Sequence, residues 1–455
     1  MMKLGNFVKG EWVQGLGDGK QLRDAVNGEL IATATTEGID WNEVLQYGRE
    51  TGGPALRKMT FQERGRMLKA LALHLSEHKN KYYEISYRTG ATKVDSWIDI
   101  DGGIGNLFAY SSLRRQFPNE TFYVDGDAVK LSKENTFIGH HIMVPREGIA
   151  IHINAFNFPV WGMLEKVAVN LLAGVPALVK PATLTSYLTE AVFRDIIQSG
   201  ILPAGALQLI CGSAEGILDY VESQDIVTFT GSASTGKALR RHPRISEESV
   251  PFNLEADSLN AAVLGLDAAP GTPEFDLFIK EVRKEVTVKC GQKCTAIRRV
   301  MVPEQWIDDV QIALGQAFSK TPVGNPRNEL VRMGSLAAMS QREDVLSKLA
   351  LLRQDSDVVY GLREDETYVD ADAIKGAFMS PVLLRNNDPF RKRATHEIEA
   401  FGPITTIMPY KTTEEAVALV KLGRGSLVCS LTTNDDRQAR EFALGSAAHH
   451  GRILI

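Results

Sequence analysis

Gly148-Ile-Ala-Ile-His-Ile153, then residues 161–173 with a helical apolar face, then Pro176-Ala-Leu-Val-Lys180, read as strand, helix and strand. Both strands are near-continuously apolar rather than alternating, as a parallel sheet covered on both faces requires. The rhythm runs outward from there. A helix over 185–199 is followed by the strand Leu207-Gln-Leu-Ile-Cys211, a helix from Ala214, and the strand Asp225-Ile-Val-Thr-Phe-Thr230. Repeated βαβ units of this kind predict an α/β domain with its ligands beyond the carboxyl ends of the strands. From about Ala261 a second α/β unit is predicted, with helices over 274–289 and 305–318 and a strand over 296–302. Residues 325–392 are less regular. Strands over 404–409 and 425–432 then flank a helix over 413–422.

The N-terminal part has a different texture. Short strand-like pieces such as Asn6-Phe-Val-Lys-Gly-Glu-Trp12 lead into a helical stretch over 41–112, where Met67, Leu68, Leu71, Leu73 and Leu75 recur on repeating faces. Thr121-Phe-Tyr-Val, Asp125-Gly126 and Ala128-Val-Lys-Leu predict a hairpin turning at Asp125-Gly126. A second extended run over 137–144 follows, and a ribbon lying outside a core suits assembly. No internal repeat is present.

Composition narrows the class of protein. A chain of 455 residues that is 44% hydrophobic and 24% charged has enough apolar content for two or three domains with real cores. A formal net charge of -5 offers no electrostatic case for nucleic acid. Neither an N-terminal apolar signal core nor a run of about 18 apolar residues occurs, so no membrane partner is expected. Four cysteines, sparse apart from one pair, suit reduced thiols in the cytoplasm.

Five segments carry candidate chemistry. In Gly291-Gln-Lys-Cys294-Thr295 a glycine-relaxed turn presents one thiol where helix passes into loop. A thiolate so placed is a strong nucleophile toward a carbonyl carbon; a buried structural cysteine is the alternative. Asn157, in Phe156-Asn-Phe-Pro159, stands between a strand and a helix. Its amide suits a developing oxyanion, although Asn there also suits a helix cap. Lys180 ends its strand, well placed for the hydroxyls or phosphate of a cofactor ribose, with a solvated lysine as the alternative. Phe229-Thr-Gly231-Ser232-Ala-Ser-Thr-Gly236-Lys237 opens a helix after a strand and offers backbone N–H groups to phosphate oxygens. It is not a P-loop, because Ala238 stands where that motif needs Ser or Thr for Mg²⁺. Glu255, in Phe252-Asn-Leu-Glu255-Ala-Asp-Ser258, ends another strand and suits activation of water beside a thiol. Cys290 and Cys294 lack the further ligands of a zinc site. His140-His141, His449-His450 and the basic run 391–393 read as surface or structural groups.

Taken in order, Phe156-Asn-Phe-Pro159, Lys180-Pro-Ala, Phe229-Thr-Gly-Ser232 with Gly236, Glu255, Gly291-Gln-Lys-Cys294 and Glu399-Ala-Phe401-Gly-Pro403 resemble the aldehyde dehydrogenase superfamily over nearly the whole chain. Ile153-Asn-Ala-Phe-Asn-Phe-Pro159, Glu255-Ala-Asp-Ser-Leu-Asn260 and Lys293-Cys-Thr-Ala-Ile-Arg-Arg299 are most similar to bacterial members of phenylacetate degradation and aerobic benzoyl-CoA degradation. The resemblance implies a Rossmann-type cofactor domain (1–120 and 146–254), a β-ribbon assembly arm (121–145), a catalytic α/β domain (255–440) and a shortened C-terminal segment (441–455). It implies a homodimer or higher homo-oligomer. It makes Cys294 the nucleophile, Asn157 the oxyanion donor, Glu255 the general base and Lys166 a proton-relay group. Lys180, Thr183, Gly231, Ser232, Glu399 and Phe401 become cofactor contacts.

Relatives that prefer NAD carry Glu where Thr183 stands, so NADP is expected, with NAD possible. The expected reaction is oxidation of an aldehyde to an acid. The expected substrate is a CoA-linked semialdehyde of the 3-oxo-5,6-dehydrosuberyl-CoA type. The alternatives are the 3,4-dehydroadipyl-CoA semialdehyde, a CoA-acylating reaction, and an inert assembly protein. Glu255-Ala-Asp-Ser-Leu in place of the common Glu-Leu-Gly-Gly-Lys alters the loop after the base.

Overall fold

The computed structural model describes residues 2–363 and 366–455. Its chain divides into two compact units, one of Met1–Arg23, Leu30–Ser86 and Ser96–Ala256, the other of Asp24–Glu29, Tyr87–Asp95 and Asp257–Ile455.

In the first unit β1 (Asn6–Val8) and β2 (Glu11–Val13) form a tight pair, and β3 (Lys20–Arg23) and β4 (Leu30–Ala34) a separate hairpin. A ribbon of β5 (Tyr123–Lys130) and β6 (Ile138–Met143) follows. The main sheet adds β7 (Ala150–Ile153), β8 (Ala177–Lys180), β9 (Leu207–Leu209), β10 (Ile226–Gly231) and β11 (Phe252–Ala256), in the order β11-β10-β7-β8-β9-β1-β2. The strands from β7 to β11 are parallel. Their order reverses at β7, so the crevice beyond the ends of β7 and β10 is the switch point where such sheets take ligands. Both faces are covered, which is why the strands are mostly apolar. Ala150, Val179 and Leu209 pack beneath the helices Phe61–Ser86, Pro159–Leu172 and Ser186–Gln198, while Ile151, Leu178 and Val227 line the opposite core.

Three local expectations are corrected. Leu73 is 49% exposed, turned away from the face shared by Met67, Leu68, Leu71 and Leu75. The helix expected from Ala214 is only a 3-10 turn, Ile217–Tyr220, entered through Gly216 at φ +81°. The Asp125-Gly126 pair is not the hairpin turn, because β5 runs through it. Asp125 faces His141 and Val129 faces Gly139, so four steps along β5 span two along β6. Gly126 takes its φ of +72° within that irregularity, a use of the same conformational freedom that a turn would need. The chain reverses instead at 131–137, where Ser132 Oγ accepts the N–H groups of Thr136 and Phe137. Val124, Val129, Ile138, Ile142 and Met143 leave this ribbon with exposed apolar side chains.

The second unit holds β12 (Ala261–Leu264), β13 (Arg299–Pro303), β14 (Asp357–Tyr360), β15 (Val382–Arg385), β16 (Ile404–Tyr410), β17 (Ser426–Thr432) and β18 (His450–Leu454), in the order β14-β15-β16-β13-β12-β17-β18. Only β14 runs antiparallel to its neighbour among these described strands. The stretch 325–392 is more regular than its sequence suggests, containing the helix Met339–Leu352 as well as β14 and β15. The helix Pro273–Thr287 starts at Thr272, whose side chain accepts the Phe275 N–H. It stops two residues short of expectation because Lys289 and Cys290 sit in the left-handed region, at φ 53° and 52°.

Candidate active site

The turn bearing Cys294 is built by backbone constraint. Gly291 has φ +68°, and a Cβ there would stand 2.2 Å from the Gly402 carbonyl oxygen, so no other residue fits. Ahead of it, the left-handed Lys289 is held by its N–H to Asp95 at 2.7 Å and its ammonium to Thr89 Oγ1 at 2.8 Å. Gln292 is buried and accepts the Ala337 N–H at 3.0 Å. Beyond it, Asn260 donates to the carbonyls of Cys294 at 2.8 Å and Ala296 at 3.0 Å. Cys294 itself is half-buried, whereas Cys290 lies in the core, where burial drives its thiol pKa far up. The turn therefore offers one accessible sulfur and one inert one. Lys293 is engaged with Glu285 at 2.7 Å.

Glu399 and Phe401 belong to the same unit. The Glu399 carboxylate accepts the Ser258 N–H at 2.9 Å and pairs with Arg298 Nε at 3.2 Å. Burial raises its pKa, with Arg298 and the Ser258 N–H acting the other way. The Arg298 guanidinium also stacks over the Phe401 ring, 5.2 Å from its centre. Arg298 falls within the quoted segment Lys293-Cys-Thr-Ala-Ile-Arg-Arg299, but the sequence assigned it no role.

Asn157 lies in the first unit and is 7% exposed. It does not cap the helix that follows. The cap position is Phe158, Pro159 fills the first helical position, and no side chain at the cap bonds the helix. Asp99 does this work from a distant segment, accepting the N–H groups of Val160 at 3.0 Å and Trp161 at 2.7 Å. The capping task that the position of Asn157 suggests is thus met from elsewhere in the chain. Lys166, two turns into this helix, donates to Gly162 O at 3.3 Å and pairs with Glu165 at 2.9 Å. Asn154, directly after β7, is 4% exposed, and neither of its amide atoms finds a partner among the described residues.

Glu255 sits on β11 opposite Thr230 of β10, half-buried. Its carboxylate makes no hydrogen bond or ion pair among the described residues. Ser232 caps the helix Ala233–Arg240, accepting the Thr235 N–H at 3.4 Å. Gly231 ends β10 immediately before it. Gly236 lets this helix sit on the sheet, since a Cβ there would meet Leu254 at 2.3 Å.

Lys180 and Thr183 line a cavity of about 730 Å³ at the carboxyl ends of β8 and β9, together with Lys20, Thr36, Glu37 and Glu215. Burial lowers the Lys180 pKa and Lys20 adds to that, partly offset by Cys211. Lys20 was invisible in the sequence, because only the packing of the β3–β4 hairpin on the turn Thr183–Thr185 brings it here. Among the described residues no group of three or more His, Cys, Asp or Glu is placed to hold a metal ion, and no helix is long and apolar enough to cross a membrane.

Comparison with known proteins agrees with this architecture. The model of the aldehyde dehydrogenase family matches residues 12–452. The 3,4-dehydroadipyl-CoA semialdehyde dehydrogenase of Aromatoleum evansii is 43% identical over 455 residues, covering 100% of this chain and 88% of that protein. The 2-hydroxymuconic semialdehyde dehydrogenase of Pseudomonas sp. (strain CF600) is 26% identical, covering 97% of this chain and 89% of its own length. The crystal structure of apo betaine aldehyde dehydrogenase from Staphylococcus aureus superposes with a TM-score of 0.87 at 22% identity, covering 100% of this chain and 87% of that one. The NAD+ complex of an aldehyde dehydrogenase from Bacillus cereus gives 0.85 at 20% identity, covering 100% and 88%. These two structures share the fold, two α/β domains with Rossmann-like parallel strands. With a family match along almost its whole length and a relative at 43% identity, this chain is an oxidoreductase that belongs to the aldehyde dehydrogenase family.

Proposed function

We propose that this enzyme oxidises a CoA-linked semialdehyde to its carboxylic acid, with NADP as the hydride acceptor. The observation that carries the substrate reading is the 43% identity, along the whole chain, to a 3,4-dehydroadipyl-CoA semialdehyde dehydrogenase. That name favours the dehydroadipyl compound of benzoate breakdown over the dehydrosuberyl compound of phenylacetate breakdown.

The residues suit the chemistry. Cys294, as thiolate, adds to the aldehyde carbon, and the Asn157 amide and the Cys294 N–H hold the resulting oxyanion. A cofactor bound there would supply the hydride acceptor. A thioester is left on Cys294. Glu255, whose carboxylate has no partner among the described residues, takes a proton from the water that hydrolyses this thioester, and Lys166 relays protons. Lys180 and Thr183 would hold the adenosine ribose of the cofactor, the N–H groups at Gly231 and Ser232 its pyrophosphate, and Glu399 with Phe401 its nicotinamide ribose. The preference for NADP is supported by the cavity: Lys20 and Lys180 bring two cations, and Thr183 places no carboxylate against a 2′-phosphate, although Glu37 and Glu215 also line the space. The buried, unpaired Asn154 amide at the switch point supports a polar ligand there.

A CoA-acylating reaction has no use for a water-activating carboxylate, so Glu255 argues against it. The apolar ribbon supports a homo-oligomer, and the free thiols suit a cytoplasmic enzyme. The test is NADPH formation from 3,4-dehydroadipyl-CoA semialdehyde with and without free CoA. The free acid should form in both, faster with NADP than with NAD; a product that consumes free CoA would overturn the hydrolytic reading.

A further inference from the structure

We propose that Lys289 is a positioning residue: its buried ammonium holds a strained left-handed turn closed, and that turn sets where the Cys294 sulfur stands. The inference rests on the reading of Cys294 as the nucleophile.

Lys289, Cys290 and Gly291 are left-handed in succession, at φ 53°, 52° and 68°. The Gln292 N–H donates to Lys289 O at 3.0 Å and closes the turn. Glycine takes this conformation freely, whereas a residue with a Cβ crowds the carbonyl oxygen that follows it. Outside glycine, such residues are mostly Asn, Asp and His, and they occur singly. Here a lysine and a cysteine stand side by side, just ahead of Cys294. Backbone of this kind persists only where its surroundings over-determine it, and such outliers gather at functional sites.

The surroundings that hold it belong to the segment Tyr87–Asp95 of the same unit. One Asp95 carboxylate oxygen accepts the Lys289 N–H at 2.7 Å, and the other accepts the Thr92 N–H at 2.8 Å. Lys289 Nζ donates to Thr89 Oγ1 at 2.8 Å and to Thr89 O at 3.4 Å. Thr89 is itself fixed. Gly90 beside it lies so close to Ser335 that a Cβ there would stand 2.4 Å from the Ser335 carbonyl oxygen. Two residues further on, Ala337 donates its N–H to Gln292. The turn is therefore gripped at its start by Thr89 and Asp95 and at its end by Ala337. Lys289 is 3% exposed, and an ammonium is costly to bury unless it is bonded. An unbranched apolar side chain would fill the same space at less cost, so what lysine contributes is its bond to Thr89. That bond restrains a backbone that would otherwise relax and carry the thiol with it. A residue at ease in the left-handed region would need the bond far less.

Two substitutions at this one position separate bond from strain. K289M removes the ammonium and keeps a side chain that strains the turn, while K289N removes the ammonium and tolerates the left-handed backbone. Both are made in the full chain, with folding checked by circular dichroism. The readouts are kcat for NADPH formation from 3,4-dehydroadipyl-CoA semialdehyde and the rate at which iodoacetamide alkylates Cys294, followed on its peptide by mass spectrometry. In folded K289M, kcat should fall by about tenfold or more, as small displacements of a reacting group do, and the alkylation rate should change with it. In K289N most of both changes should be reversed. A K289M enzyme that matches the parent in both readouts overturns the proposal. A K289N enzyme as impaired as K289M also overturns it, since the ammonium would then act without regard to the backbone. Should K289M fail to fold, T89V decides, because it removes the hydroxyl acceptor and leaves Lys289 in place: unchanged kcat and alkylation overturn the proposal. Failure of the underlying reading looks different, since a C294A variant that still turned over aldehyde would remove Cys294 as nucleophile whatever the Lys289 variants did.

Discussion

The carboxylate of Asp99 accepts the backbone N–H of Trp161 at 2.7 Å, and so a residue 62 positions away caps the helix that Asn157 precedes. The helix start is thus capped from outside its own flank. Replacing Asp99 by Ala should cost about 1 kcal/mol of stability, as loss of a cap usually does. If Asn157 is the oxyanion donor, kcat should fall as well. Asp99→Asn retains an acceptor and should recover most of both. Urea unfolding and steady-state kinetics on the pair provide the check, and equal losses in the two variants would contradict it.

Asn260 is fully buried and spends both ends of its amide. It donates to Cys294 O and Ala296 O, and it accepts from Ser258 Oγ at 2.7 Å and the Val428 N–H at 3.1 Å. Asn260→Ala strands these partners in the interior and should cost roughly 2–3 kcal/mol. Urea midpoints will measure this. Alkylation of Cys294 in the folded fraction should also change rate, since the turn loses its brace.

Cys294→Ala should abolish oxidation. Glu255→Gln should still release one equivalent of NADPH and then stall, because addition and hydride loss precede the step that needs the base. Rapid-mixing absorbance at the NADPH band separates these outcomes. Full steady turnover in Glu255→Gln would remove that residue from the mechanism.

Acid should destabilise the fold through its buried histidines. Burial, with the Lys166 charge adding to it, lowers the His152 pKa to about 3, and burial beside Arg299 lowers that of His396 to about 3. A folded-state pKa below the unfolded value of about 6.5 means the unfolded chain binds the proton first. The stabilising contribution is therefore complete above pH about 6.5 and drains away as pH falls toward 3. Each such group steepens the loss by up to about 1.4 kcal/mol per pH unit. His152→Gln should flatten that limb in unfolding titrations between pH 7 and 4; an unaltered slope would show that His152 is not responsible.

Thr183 bears on cofactor choice. Thr183→Glu sets a carboxylate in the cavity with Lys20 and Lys180 and should move the ratio of kcat/KM for NADP over NAD toward NAD by roughly a hundredfold, the size of a few kcal/mol of repulsion and lost bonding. Lys20→Gln should lower the same ratio by a smaller factor. Parallel kinetics with the two cofactors measure both, and a ratio untouched by Thr183→Glu would remove this residue from cofactor discrimination.

The parallel strands were legible because a sheet covered on two faces is written in largely apolar runs, and β7 and β8 come close to that, broken only by His152 and the terminal Lys180. The turn at Cys294 was legible for a related reason: Gly291 advertises a conformation that other residues avoid. Where local chemistry serves two purposes the reading went astray. Asp125-Gly126 suits a turn and equally suits the irregularity in β5, and only the pairing partner decides. The segment after Ala214 has the apolar residues of a helix, but Gly216 interrupts it. Asp99, Arg298 and Lys20 follow no local pattern. Each is brought to its place by contacts over long sequence distances, 62 residues for Asp99 to Trp161 and 101 for Arg298 to Glu399. Such partners lie outside any window of neighbouring residues.

The close approach of Gly291 to Gly402 has a bearing on engineering. Here main chain meets main chain, so there is no side chain to trim and no room for a compensating change. A saturation library at Gly291 should return almost only glycine, however permissive the assay, whereas a Cβ at Gly402 would meet the Val345 side chain at 2.8 Å. Variation meant to retune the thiol's surroundings is better spent on side chains such as Thr295, which alter what a substrate meets without disturbing the seam beneath it.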